Sequence, residues 1–371
     1  MPTRQRSTSA ALALVYAALV LYASLYPFMG WRWPPGRDFA DMLVLPWPRW
    51  HLPFDLWSNG LGYLPLGLLV FVAAVRAGIG ARTALAAAVL GPALLSYVTE
   101  VTQHFLPRRH PSLIDLSLNT LGALAGALLG LALRAAGLVE RWQGLRERWF
   151  DRESAGALTL LALWPFALLF PAPLPLGLGQ VWPRLAAALA GWLDGAPWAA
   201  PLQQALATLA TAAPPPLGPV AEVAATGLGL LAPCLVAYAV VPPGAKRAVL
   251  ALGALAIGVA ALTLSAALNF GPQHAFAWGT PNTPAALAVA TLVAAALAPL
   301  AQRGVAAIGL VALTALVALV AQAPTDPYFA QSLRAWEQGR FIHFHGLAQW
   351  VGWLWPYAAL AWLLARVSRR D

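Results

Sequence analysis

Of 371 residues, 60% are apolar and only 10% charged, and the mean hydropathy of +0.67 excludes an ordinary soluble domain in favour of an all-α, polytopic membrane protein. A net charge of +9 would suit nucleic acid, but the arginines sit at the ends of apolar segments rather than along one soluble face. The charge therefore reports topology, and no nucleic-acid partner is expected.

Ten apolar stretches are long enough to cross about 30 Å of hydrocarbon. They are predicted as helices near 9–29, 57–76, 83–103, 113–133, 156–173, 220–241, 248–268, 284–301, 305–322 and 347–366. The first has no small-residue cleavage site behind a short apolar core and reads as a retained helix. With both termini on the inner side, most of the 23 Lys and Arg residues fall there although the outer loops are longer, so the positive-inside rule sets this orientation. All six histidines and most of the 17 tryptophans then lie on the outer side, Trp31, Trp33, Trp47, Trp50 and Trp57 in or beside the first outer loop. Anchoring at the interface explains these rings more simply than stacking on a sugar or drug-like ligand.

The expected organisation is a four-helix membrane domain over 1–135, a basic cytoplasmic linker over 136–155, and a six-helix domain over 156–371. The last contains an outer excursion, 174–219, whose apolar pieces near 183–193 and 199–212 are too short to span and are expected along the interface. Most of the buried polar chemistry falls in the first four helices and hardly any in the last six. The lone Cys234 excludes an intrachain disulfide, and no CxxC or CxxH spacing offers a zinc site.

Two segments share one frame. DLWSNGLGYL (55–64) and DLSLNTLGAL (115–124) match at Asp55/Asp115, Asn59/Asn119 and Gly62/Gly122, and both open helices running from outside to inside. This is the pattern of an internal duplication. Each Asp starts its helix at the outer surface, with its Asn one turn deeper on the same face. The helix between runs the other way and brings Glu100, with Ser96 a turn below and Gln103 and His104 a turn above, to that surface, followed by the tight turn holding Arg108, Arg109 and His110. An Asp at a helix start is equally well a cap, and an Asn in a membrane helix equally well interhelical glue. Glu100 resists a capping role on its own helix, because it lies near a C-terminus where the dipole disfavours an anion, and intramembrane carboxylates are functional candidates.

At D-x3-N leading into LGYLPLG (Asp55, Asn59, Pro65, Gly67) and SYVTEVTQHFLPRRHPSLIDLSLNTLGALAG (Glu100, Gln103, Arg108 or Arg109, Asp115, Asn119, Gly122, Gly126) the chain resembles the VanZ-like family of bacterial integral membrane proteins, over roughly residues 15–135. The resemblance implies a multi-pass protein of the bacterial cytoplasmic (inner) membrane and a link to low-level resistance to the glycopeptide teicoplanin. The six added helices depart from the family's plain pattern.

The leading expectation is a cell-envelope protein that binds the polar group of a lipid-linked glycan or glycopeptide-type amphiphile at the outer leaflet. Asp55, Asn59, Glu100, Gln103, Arg108, Arg109, Asp115 and Asn119 form the candidate site, with arginine taking phosphate or carboxylate in bidentate fashion and membrane lipids as surroundings. The alternative is a metal-assisted enzyme acting on a phosphate or pyrophosphate of a lipid carrier. No cofactor is evident, but a divalent cation on Asp55, Glu100 and Asp115, with Glu100, His104 (or His110) and Asp115 as catalytic candidates, would serve that chemistry. A transporter is disfavoured because the inner halves of the helices lack buried charges. His343 and His345 offer a weak pair of metal ligands with no carboxylate nearer than Glu337, and Glu222 is a second buried acid without a partner in its own segment.

Overall fold

The computed structural model describes all residues except 1–7, 27, 29, 48–52, 108, 171, 196, 212–216, 324–341 and 369–371, and omits the side chains of 53–58, 184, 197, 211, 269 and 342–347. The described chain is all-helical. Two compact units divide it: residues 1–148 with 152–155, and residues 149–151 with 156–371.

The first unit holds α1 (Thr8–Leu25), the short α2 (Phe39–Met42), α3 (Pro53–Arg76), α4 (Ala81–Gln103), α5 (Leu113–Ala135) and α6 (Leu138–Trp149, whose last residue belongs to the second unit). Its main seam joins α3 to α5. A methyl group added at Gly122 would collide with the backbone of Gly60, one at Gly126 with the Leu64 carbonyl, and one at Gly67 with the Ala123 carbonyl. Residues advance together along both helices, so they run parallel at a separation that only glycine permits, as small-residue faces allow in membrane helices. Opposed to both, α4 presents a buried stripe of Ala84, Ala88, Pro92, Ser96, Glu100 and Gln103 at helical spacing. Tyr16 of α1 donates to the Gly62 carbonyl at 2.9 Å and seats α1 on α3.

The second unit contains α7 (Ala155–Ala167, its first residue in the first unit), α8 (Trp182–Trp192), α9 (Ala200–Thr211), α10 (Pro219–Tyr238), α11 (Ala245–Phe270), α12 (Thr283–Leu297), α13 (Gln302–Ala321) and α14 (Ile342–Ser368). Its axis is α10, buried along most of its second half and packed by α11, α12 and α13. Trp355 of α14 donates to the Leu160 carbonyl of α7 at 2.7 Å.

Each of the ten predicted spans falls on one helix. By length and apolarity α1, α3, α4, α5, α10, α11 and α13 suffice to cross a membrane, which makes this a multi-pass membrane protein. Two spans come out short. α7 ends at Ala167, before the prolines at 171, 173 and 175, and α12 ends at Leu297, before Pro299. The stretch 136–155, expected as a linker, contains the 12-residue helix α6; its many charges removed the apolar signal without removing helix propensity.

The six-helix part also carries more buried polar chemistry than its sequence suggests. Arg247 is fully buried and donates to the carbonyls of Tyr238 (2.8 Å), Val241 (2.8 and 3.0 Å), Ala298 (3.1 Å) and Leu300 (2.6 Å), answering the open ends of α10 and α12. Asp151 accepts from Arg366 and Gln302, both at 2.9 Å. Glu222 finds its partner on another segment, accepting from Asn282 at 2.7 Å.

Gly62 and Gly122 hold equivalent places in the repeated frame, yet only Gly122 is jammed against a neighbouring backbone, while a Cβ at Gly62 meets open space. Gly122→Leu is therefore expected to cost about 2 kcal/mol or more, seen as a lower thermal midpoint and loss of the monodisperse peak in detergent. Gly62→Ala should be neutral or stabilise by about 0.5–1 kcal/mol.

Candidate functional site

The site lies where α4 ends and α5 begins. Glu100 solves the dipole problem posed by its own helix by reaching across the turn: its Oε2 accepts the Ser112 backbone N–H at 2.8 Å. Ser112 is the N-cap of α5, and its hydroxyl in turn accepts the Asp115 N–H at 3.2 Å. The buried carboxylate thus sits at the positive end of α5 rather than the negative end of α4. Arg109 is close enough to attract it and Asp115 close enough to repel it.

Gln103 and Arg109 face the other way. Gln103 donates to the Ser24 carbonyl at 3.0 Å, and Arg109 donates to the carbonyls of Ala23 (2.7 Å) and Tyr26 (2.9 Å). These are the last carbonyls around the end of α1, where a cation also meets the negative end of the dipole. Burial pulls the Arg109 pKa down and Glu100 pushes it back; an arginine stays charged throughout.

Below Glu100 a polar strip runs into the bundle. Asn119 donates to the Ser96 hydroxyl at 2.9 Å, with both side chains buried. The Tyr63 hydroxyl approaches Ser96 and Thr99, but neither it nor the Asn119 Oδ1 has a well-directed partner among the described residues.

Above the turn lies the loop between α1 and α3. Arg32 N donates to the Phe105 carbonyl and Leu113 N to the Pro46 carbonyl, both at 3.0 Å, while Tyr97 donates to the Leu43 carbonyl at 2.8 Å. The Trp33 ring packs edge-on against Phe105, 5.5 Å between centroids. Loop and turn enclose an open cavity of about 360 Å³ lined by Arg32, Arg37, His104, Leu106, Arg109 and His110. The other described residues of its lining are prolines, at 34, 35, 46, 107 and 111, whose fixed φ angles restrict the backbone there. Among the described residues, no carboxylate lines it.

Arg37 donates from Nη1 to His104 Nδ1 at 3.3 Å. Arginine has no acceptor, so this contact requires neutral His104 with its proton on Nε2. Burial and the facing Arg37 both push the His104 pKa below its ordinary 6.5.

Among the sequence-predicted residues, Glu100, Gln103, Arg109, Asp115 and Asn119 gather around the α4–α5 turn, while His104, Arg109 and His110 line the cavity itself. Asn59 is half-buried on α3. The Asp55 side chain and Arg108, like the side chains of His343 and His345, lie outside the described residues. No three His, Cys, Asp or Glu side chains gather as a metal site among the described residues. Arg32 and Arg37 belong to the cavity and were not singled out from the sequence. The only available signal was their basic, proline-rich loop, PPGR and its flanks, which does not say what the loop covers.

Residues 7–134 match the family described as VanZ/LLP1. That segment is VanZ-like. It begins at the residue before α1 and stops one residue before the end of α5, so it takes in the glycine seam, the α4–α5 turn and the whole cavity, and the second unit lies outside it. Neither the curated proteins nor the solved structures contain a match to the chain.

Because the folded state favours neutral His104, the unfolded chain binds more protons just below pH 6.5, and stability contributed by this residue is present above that pH and lost as pH falls through the folded value. An imidazole titration by NMR in micelles should give a His104 midpoint below 6.5, moving upward in Arg37→Ala. A midpoint unaffected by that change would contradict the contact.

Proposed function

We propose that the VanZ-like unit binds the anionic polar group of an amphiphile, a lipid-linked envelope intermediate or a glycopeptide-type drug, at the outer leaflet of a bacterial inner membrane. The observation that carries this reading is the cavity whose described lining holds three arginines and no carboxylate. Arg32 and Arg37 are exposed to an incoming ligand, and a guanidinium holds phosphate or carboxylate through paired hydrogen bonds. Glu100, Gln103, Asp115 and Asn119 act from behind by fixing the turn that carries Arg109. The apolar part of the ligand stays in lipid beside the bundle, so no aqueous path through the membrane is needed. A link to glycopeptide resistance would follow from capture of drug or of its lipid-linked target at this place.

Dodecyl phosphate near 100 times its Kd should stabilise the full chain in detergent by about 2.7 kcal/mol, with a raised thermal midpoint that salt weakens, whereas dodecanol should not. In Arg37→Glu the shift should vanish. Equal shifts from both compounds, or an undiminished shift in the variant, would count against the reading.

A further inference from the structure

We infer that the cavity selects a phosphoryl group carrying at least two negative charges, a diphosphate above all, over a carboxylate. This rests on the anion-binding reading above and specifies its ligand class.

Charge balance carries the argument. The three arginines of the cavity are not equivalent. Arg109 has Glu100 close behind it and spends its Nε and one Nη on the carbonyls of Tyr26 and Ala23, so much of its donor capacity is used within the protein. Arg32 and Arg37 stand exposed on the loop side of the cavity. The acids of that loop do not line it, and Asp41 turns back to accept the Asp38 N–H at 3.1 Å. Of the two histidines, His104 is held neutral by the hydrogen bond it accepts from Arg37. Among the described residues, the guanidiniums of Arg32 and Arg37 thus bring at least two positive charges to the ligand. A carboxylate or a phosphodiester supplies one negative charge and leaves the other arginine unanswered; a diphosphate supplies two or more, with oxygens enough for both guanidinium forks.

Size agrees. About 360 Å³ lies in the range of small-molecule pockets, roughly 300–1,000 Å³, which is generous for a carboxylate and suits two phosphoryl groups with the first atoms of what they carry. Two sources share this chemistry, a membrane-anchored prenyl diphosphate and a soluble diphosphate.

The full chain in phosphatidylcholine nanodiscs, titrated with farnesyl diphosphate, inorganic pyrophosphate and palmitate, separates these cases. Farnesyl diphosphate should bind at least tenfold more tightly than palmitate. An Arg32→Ala/Arg37→Ala double variant should lose at least tenfold for the diphosphate while keeping the circular dichroism of the native chain; both side chains are exposed, and neither caps a helix as Arg109 does. Inorganic pyrophosphate binding as tightly as farnesyl diphosphate would support the diphosphate inference and overturn the amphiphile reading. Palmitate binding equally well, and equally weakened in the double variant, would overturn the diphosphate inference and leave the amphiphile reading standing. No binding by any probe, or a double variant that binds all three unchanged, would overturn both.

Discussion

A helix that ends inside a low-dielectric environment leaves carbonyls or N–H groups that water does not reach, and each must find another partner. In the VanZ-like unit this requirement determines the arrangement of the site. The end of α1 takes its donors from Gln103 and Arg109, and the start of α5 takes an acceptor from Glu100. All three side chains come from one short stretch of chain, so satisfying two helix ends also fixes the α4–α5 turn and, with it, one wall of the basic cavity. The intramembrane acid and the arginine thus answer backbone dipoles in opposite directions, and their mutual attraction is secondary to that. The second unit meets the same requirement with Arg247, whose guanidinium serves the ends of both α10 and α12.

What the sequence disclosed follows from how local each feature is. The spans were legible because a 20-residue apolar run has few other fates. The meeting of α4 with α5 was legible because a tight turn joins them, which places Glu100 and Asp115 in one layer; the pairs Ser96–Asn119 and Glu100–Ser112 emerge only from the packing. The contact of Arg109 with Ala23 and Tyr26 depends on where a distant helix packs, and the contribution of Arg32 and Arg37 on the path of a long loop. Neither leaves a periodic trace. Arg247 counted toward topology in the sequence for the same reason, since only the fold brings two helix ends to it.

The repeated Asp/Asn/Gly frame shows how similar sequences take different places. Asn119 is buried against Ser96, whereas Asn59 is half-buried; Gly122 meets a backbone, whereas Gly62 offers its carbonyl to Tyr16 of α1. The difference is one of neighbours, because α5 packs on α3 and α4 while α3 also carries α1. Equal residues in the repeat suggest equal roles, and packing assigns them different ones.

The glycine seam joins helices that are not consecutive. During synthesis α3 and α4 enter the bilayer first, and the slot along Gly60, Leu64 and Gly67 faces lipid until α5 emerges to fill it. Assembly of this unit therefore has a direction in time.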